Sequence, residues 1–200
     1  MQVRAIMDAS QKAAAEGIDV QLGVMVPQVS HANEMRRLRE ILEESIDQSQ
    51  SGAATRIEYK IGAMIEVPRA ALTADEIAET AEFFSCGTND LTQTTFAMSR
   101  DDAERKFLLR YVEDEILPDN PFQAVDRSGV GRLVQIACEL GRKARPGMAI
   151  GVCGGHGGDP SSIQLFHEIG IDYVSCSPHR VPVARLAAAQ AAVRDTAEDA

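Results

Sequence analysis

An α/β fold on parallel strands is what this sequence predicts, and three observations carry that expectation. Short apolar runs recur at residues 22–27, 57–67, 83–86, 149–153 and 173–176. Between them lie stretches whose apolar residues repeat at helical spacing, and such alternation implies a parallel sheet with right-handed crossovers. Several runs end on glycine or a lone carboxylate, which gathers polar chemistry at the carboxyl ends of strands, where α/β folds keep their sites. A closed eight-stranded barrel usually takes about 250 residues. A chain of 200 residues with five strands is therefore either an open α/β sheet or part of a barrel.

The elements follow in order. Val3, Ile6, Met7 and the alanines 13–15 predict an amphipathic helix over residues 1–16, stopped by Gly17. The first strand spans 22–27. Ser30 is the expected cap of a helix through Met35, Leu38, Ile41, Leu42 and Ile46, followed by a polar break at 48–55. After the second strand, Thr73 and Glu76 predict a capping box for a short helix over 73–81. The third strand, 83–86, runs into Gly87 and helix-compatible sequence. Residues 100–126 are charged and broken by Pro118 and Pro121, which predicts an excursion over the mouth of the fold rather than a barrel element. A helix over 130–143, the fourth strand, a glycine-rich loop at 154–160, a helix capped by Ser161, the fifth strand and a terminal alanine-rich helix over 183–193 complete the chain.

Composition narrows the function. With 44% hydrophobic and 25% charged residues the chain reads as one soluble globular domain. Aromatic residues make up 4% and tryptophan is absent, so base-stacking surfaces are not expected. A formal charge of -10 disfavours nucleic acid and anionic membrane. It also means that a phosphorylated substrate needs a metal or local arginines, for which Arg69, Arg100 and Arg180 are candidates. The four cysteines lack paired metal-finger spacing and read as reduced thiols. With neither a signal peptide's apolar segment nor a bilayer-spanning run, the expected location is the cytoplasm.

Two strand tips carry carboxylates. Glu66 closes the run Ile61-Gly62-Ala63-Met64-Ile65, and Asp90 follows Phe83-Phe84-Ser85-Cys86-Gly87-Thr88-Asn89. An aspartate in such a place commonly serves only as an N-cap. A glutamate ending an apolar run, however, is costly to bury without a partner, and parallel strands aim both groups into one cleft. Magnesium takes one or two carboxylates together with substrate phosphate oxygens. Cys153, by residue type a small buried hydrophobe, also ends a strand and precedes glycines whose backbone can approach a ligand. Cys86, Cys138 and Cys176 read as packing residues, His156 as a loop residue, and His31, His167 and His179 as surface or turn histidines.

Four ordered motifs, Glu66-Val67-Pro68-Arg69-Ala70-Ala71-Leu72, Gly87-Thr88-Asn89-Asp90-Leu91-Thr92-Gln93, Cys153-Gly154 with His156-Gly157-Gly158, and Ser175-Cys176-Ser177-Pro178, resemble the carboxyl-terminal domain of the pyruvate, phosphate dikinase family. The resemblance extends over essentially the whole chain. It implies the later part, about five strands, of a pyruvate-kinase-like (β/α)8 TIM barrel that binds phosphoenolpyruvate or pyruvate at its carboxyl-terminal mouth, with residues 1–200 as one domain part. Carried over by position, it makes Cys153 the general acid/base, Glu66 and Asp90 the Mg2+ ligands, and Gly87, Thr88, Asn89, Asp90 and Gly154 the substrate-binding residues. It further implies a swivelling phosphohistidine domain outside this chain as partner, with ATP and phosphate used by the full enzyme, and leaves room for a homodimer. The family's phosphate-clamping arginines precede residue 1, so the chain alone is expected to be incomplete and inactive. Gly155 stands where the family usually has glutamate, and Cys86 and His179 where it commonly has phenylalanine. The alternatives are a non-catalytic barrel fragment acting as a binding or assembly module, a phosphoenolpyruvate synthase-like enzyme, and an aldolase-like enzyme acting on a two-oxo acid.

Overall fold

In the computed structural model, which describes residues 1–53 and 55–198, five strands form one parallel sheet. Residue 54, inside the expected polar break, lies outside the described residues. The chain runs α1 (Gln2–Ala15), β1 (Leu22–Val26), α2 (Ala32–Gln50), β2 (Tyr59–Ile65), α3 (Pro68–Leu72), α4 (Ala74–Ala78), β3 (Phe83–Gly87) and α5 (Thr88–Phe96). It continues through α6 (Arg100–Lys106), α7 (Leu108–Glu113), α8 (Val130–Ala144), β4 (Ala149–Cys153), α9 (Pro160–Ile169), β5 (Tyr173–Val174) and α10 (Val181–Glu198). Sheet order equals chain order, β1-β2-β3-β4-β5, so the crossovers never reverse direction. A doubly wound sheet needs such a reversal to carry helices on both faces. Without one, right-handed crossovers stack the helices on a single face, and the sheet is the wall of a partial barrel.

Alternation along each strand sorts the two faces. Val24, Val26, Ile61, Ala63, Ile65, Phe84, Cys86, Ile150 and Val152 are buried. Most of them share one core with Ala70, Ile77, Val134, Ala137 and Phe166 from the helices. Fully burying a side chain of this kind stabilises by roughly 1.5–3 kcal/mol, which makes the helical face the one that holds the sheet together. The other face carries Gly23, Lys60, Gly62, Phe83, Gly151 and Tyr173. Its glycines make room for rings: a Cβ on Gly62 would lie 2.5 Å from Phe83, and one on Gly151 would lie 2.2 Å from Tyr173. A cavity of about 760 Å3 opens at the amino ends of the strands, where their first residues Leu22, Tyr59, Phe83, Ala149 and Tyr173 line it. That is the end opposite Glu66, Asp90 and Cys153.

Three helix starts differ from expectation. His31, not Ser30, caps α2, because its Nδ1 accepts the Asn33 N–H at 3.1 Å. Ser30 lies one residue too far out and instead donates its N–H and hydroxyl to Glu34. No Thr73–Glu76 capping box forms, since the Thr73 hydroxyl donates to the Arg69 carbonyl freed at the end of α3. In α9 the cap is Asp159 rather than Ser161. Its carboxylate accepts the Ser162 N–H at 2.8 Å and the hydroxyls of Ser161 and Ser162 at 2.6 Å each. An ionised acceptor is stronger than a hydroxyl. Asp159→Ala is therefore expected to cost about 1–2 kcal/mol in urea denaturation at neutral pH. Burial pushes this carboxyl up, but the Ser161 and Ser162 hydrogen bonds outweigh it and hold the group below its ordinary value. The difference between wild type and variant should thus persist above about pH 4 and shrink as pH falls through the folded value.

The fifth strand is shorter than the expected 173–176, although the Ser175 N–H still reaches the Val152 carbonyl at 2.8 Å. Residues 100–126 form the predicted excursion. Ala103, Leu108 and Phe122 give it a small core of its own, and its Pro121 carbonyl reaches the loop after β4.

Candidate active site

Strand register sets the level of the site. Ile65 pairs with Cys86, Cys86 with Val152, and Gly87 with Cys153. Glu66, Gly87 and Cys153 therefore lie in one row across the carboxyl ends of β2, β3 and β4. The side chains of Glu66 and Cys153 share the face that turns away from the helical core. Only glycine fits at the centre of the row, because a Cβ on Gly87 would come within 2.4 Å of Glu66 Oε2.

Glu66 is 3% exposed. Its Oε1 accepts the Gln28 N–H at 2.7 Å, and the Asp90 carboxyl is within hydrogen-bonding reach. Burial pushes the Glu66 carboxyl above its ordinary value and the Asp90 charge adds to this, while the Gln28 N–H opposes it. Asp90 sits in the first turn of α5, whose N-cap is Gly87, so the common capping role for this aspartate is not what the chain uses. Its Oδ1 accepts from Gln93 Nε2 at 2.8 Å.

Asn89 and Thr88 are fixed by the loop after β4. Asn89 Oδ1 accepts the Gly155 N–H at 3.0 Å, which leaves the amide's NH2 as its group for a ligand. Thr88 is fully buried, with its hydroxyl 3.0 Å from the Cys153 carbonyl and 2.8 Å from His156 Nδ1. Its side chain is thus committed within the protein, and only its backbone is available to a substrate.

Cys153 is half-buried. Burial pushes its thiol up, as do the charges of Glu66 and Asp90, while the Ser85 hydroxyl pulls it down. Glu66, Asp90 and Cys153 are therefore close enough to act on one another electrostatically. Gly154 stands at φ 115, ψ -177, a backbone region essentially restricted to glycine.

Ser85 and Tyr173 escaped the sequence reading. Both lie on the Cys153 face, Ser85 in hydrogen-bonding reach of the thiol and Tyr173 paired in register with Gly151. The period-2 count back from Gly87 could have found Ser85; nothing local marks Tyr173. His156 is in the loop as expected, and it is fully buried there. Its Nε2 lies 2.8 Å from the Pro121 carbonyl and so carries the proton. Burial lowers its basicity, which makes it a neutral pin between the excursion and Thr88. Cys86 and Cys138 pack in the core, and Cys176 packs against Ile163, Ala184 and Ala187. Among the three candidate arginines, Arg69 donates to the Ser30 carbonyl, Arg180 to the Gly155 carbonyl, and Arg100 pairs with Glu104.

Among the described residues no group of three or more His, Cys, Asp or Glu side chains forms a metal cage. Two converging carboxylates suit Mg2+, which usually keeps several waters and takes one or two protein carboxylates. The burial and like charge that push Glu66 upward are what a cation would relieve.

Comparison with known proteins sets this geometry in a family. Residues 1–193 match the family model described as PEP-utilising enzyme, PEP-binding domain (PEP, phosphoenolpyruvate). The chain is 52% identical over 196 residues to pyruvate, phosphate dikinase of Clostridium symbiosum, covering 98% of this chain and 22% of that one. It is 49% identical over 200 residues to the Entamoeba histolytica dikinase, covering 100% and 23%. It is 53% identical over 190 residues to pyruvate, phosphate dikinase 2 of Oryza sativa subsp. japonica, covering 95% and 21%. The chain thus spans about a fifth of the length of these relatives. A crystal structure of a citrate lyase from Burkholderia xenovorans LB400 superposes with a TM-score of 0.55 at 14% identity, covering 91% of this chain and 53% of that one, a likeness of fold alone. Matched over nearly its whole length, the chain belongs to the PEP-utilising enzymes, as their PEP-binding domain.

Proposed function

We propose that this chain is the phosphoenolpyruvate/pyruvate half-site of a pyruvate, phosphate dikinase. In the full enzyme, ATP, pyruvate and phosphate would become AMP, phosphoenolpyruvate and diphosphate. The observation that carries this reading is the placement of Glu66 and Cys153 in one strand-end row, with Asp90 in the first turn of the helix that starts from Gly87 in the same row. The identity of about 50% to dikinases supports the choice of reaction over the synthase-like and aldolase-like alternatives.

Glu66 and Asp90 would hold Mg2+, whose chemistry is to bind the substrate's oxygens and stabilise the charge of an enolate. Asn89, its Oδ1 occupied by Gly155, would direct its NH2 to a substrate oxygen. Towards phosphoenolpyruvate, Cys153 as thiolate takes a methyl proton from pyruvate, and the enolate oxygen bonds to phosphorus as the phosphohistidine N–P bond breaks. In reverse, the phosphoryl group leaves for histidine and the Cys153 S–H protonates the methylene carbon. Burial keeps this thiol protonated at neutral pH, which suits the acid direction. Balancing the charge on Glu66 and Asp90 removes part of the upward push and so favours the thiolate needed for the base direction.

At Gly155, where the family usually has glutamate, a Cβ would meet the Phe122 carbonyl and Asn89 Oδ1 at 3.5 and 3.6 Å, ordinary contacts, so the backbone there accepts a side chain.

The test is to graft residues 1–193 in place of the matching segment of the C. symbiosum dikinase and follow Mg2+-dependent exchange of pyruvate methyl protons by NMR in D2O. Exchange that ignores removal of Mg2+ by EDTA would sink the reading. Glu66→Gln should abolish Mg2+-dependent exchange and yet raise the thermal stability of the metal-free chain at neutral pH. A raised carboxyl favours the native state while protonated and loses that favour as pH rises through the folded value. The neutral amide escapes this loss, so the advantage of the variant should vanish below about pH 4, the unfolded carboxylate range.

A further inference from the structure

Arg69 follows Glu66 by three residues, and the two side chains grip the same loop at different points. Glu66 Oε1 accepts the Gln28 N–H at 2.7 Å. Arg69 Nη1 donates to the Ser30 carbonyl at 2.6 Å and reaches Thr73 Oγ1 at 3.4 Å. The segment between these points is not a relaxed turn. Gln28 stands at φ 53, an uncommon conformation for a residue other than glycine, and one that persists only where the surroundings impose it. Val29 is fully buried, and Ser30 is tied onward to Glu34. The Gln28 side chain is exposed, so the left-handed turn serves the backbone, whose N–H it aims at Glu66. With Oε1 occupied in this way, Oε2 lies over Gly87, the residue from which the Asp90 helix starts.

We propose that Arg69 and Gln28 are positioning residues for Glu66. Arg69 draws the β1–α2 loop over the strand tip, and Gln28 then holds one carboxylate oxygen so that the other stays free for a cation. The proposal rests on the reading of Glu66 as a cation ligand, and it turns an arginine considered for substrate phosphate into a support of the site.

Amide hydrogen exchange followed by NMR on the whole chain tests the clamp without any ligand. Arg69→Met should lower protection of the Gln28 amide about tenfold, because a charge-assisted hydrogen bond loses its geometry. Arg69→Lys, which keeps a donor, should retain it. The Gly155 amide, bonded to Asn89 on the other side of the mouth, should change by less than about twofold and so report an intact fold. Mn2+ binding followed by electron paramagnetic resonance tests the consequence. Arg69→Met and Gln28→Val should each weaken it about three- to tenfold, Gln28→Gly by less than about twofold, and the double variant Arg69→Met/Gln28→Val no more than the worse single. Unchanged Gln28 protection in Arg69→Met, or additive losses of Mn2+ affinity, overturns the proposal. A wild-type chain with the expected exchange pattern but no Mn2+ binding supports the clamp and overturns the cation reading instead. Should Arg69→Met unfold, Gln28→Val against Gln28→Gly makes the same comparison.

Discussion

Replacing Cys153 with alanine in the grafted dikinase is expected to slow pyruvate methyl exchange by about 10²–10⁴-fold, the usual contribution of a positioned acid or base. The Michaelis constant should move little if, as proposed, the thiol meets the carbon that reacts and not the oxygens that bind. Folding should also survive, because Cys153 is only half-buried and alanine removes a single atom from it. Cys153→Ser separates placement from acidity. A hydroxyl in the same position titrates far above any thiol, so it should also lose most of the exchange. Exchange within about threefold of wild type in Cys153→Ala, measured at saturating pyruvate and Mg2+, would remove Cys153 from the proposed chemistry.

Gly154→Ala should be the more damaging change to stability, on the order of 3 kcal/mol or more by urea denaturation, from two costs that act together. At φ 115 an alanine side chain is strained wherever it points. Its Cβ would also meet Thr88 Oγ1 at 2.7 Å and Asn89 Oδ1 at 3.1 Å. Neither neighbour can give way cheaply. Thr88 is fully buried between the Cys153 carbonyl and His156, and Asn89 is held by the Gly155 N–H. The strain should therefore spread to the site itself, with weaker substrate binding through Asn89 accompanying the loss of stability. Gly155→Ala, at a position with ordinary contacts and no left-handed φ, serves as the tolerated comparison, expected within about 1 kcal/mol of wild type. Equal stability of the two variants would show that Gly154 is not the rigid point of this loop.

Much of this architecture was legible in the chain. The apolar runs and their glycine or carboxylate ends gave the parallel strands, the tips that carry Glu66 and Cys153 and the turn that leads to Asp90, because burial on one face leaves a period-two mark and a glycine or carboxylate marks where it stops. The helix starts were less legible. His31 displaced Ser30, and Asp159 displaced Ser161, because several neighbouring side chains can each reach an orphan N–H and only geometry settles the competition. The buried state of His156 was illegible for the same reason. Its partners Thr88 and Pro121 lie 68 and 35 residues away, and no local spacing announces them.

By itself the sequence determined which side chains end the strands and the family to which their motifs point, since both are properties of neighbours along the chain. Only the tertiary structure decided that the sheet order never reverses, that Gly87 sets Glu66 level with Cys153, and that a left-handed Gln28 turns its backbone N–H toward Glu66. The physical reason is register. Parallel strands joined by helical crossovers bring together residues far apart in sequence, and the hydrogen-bond ladder that fixes their level exists only once the sheet has formed.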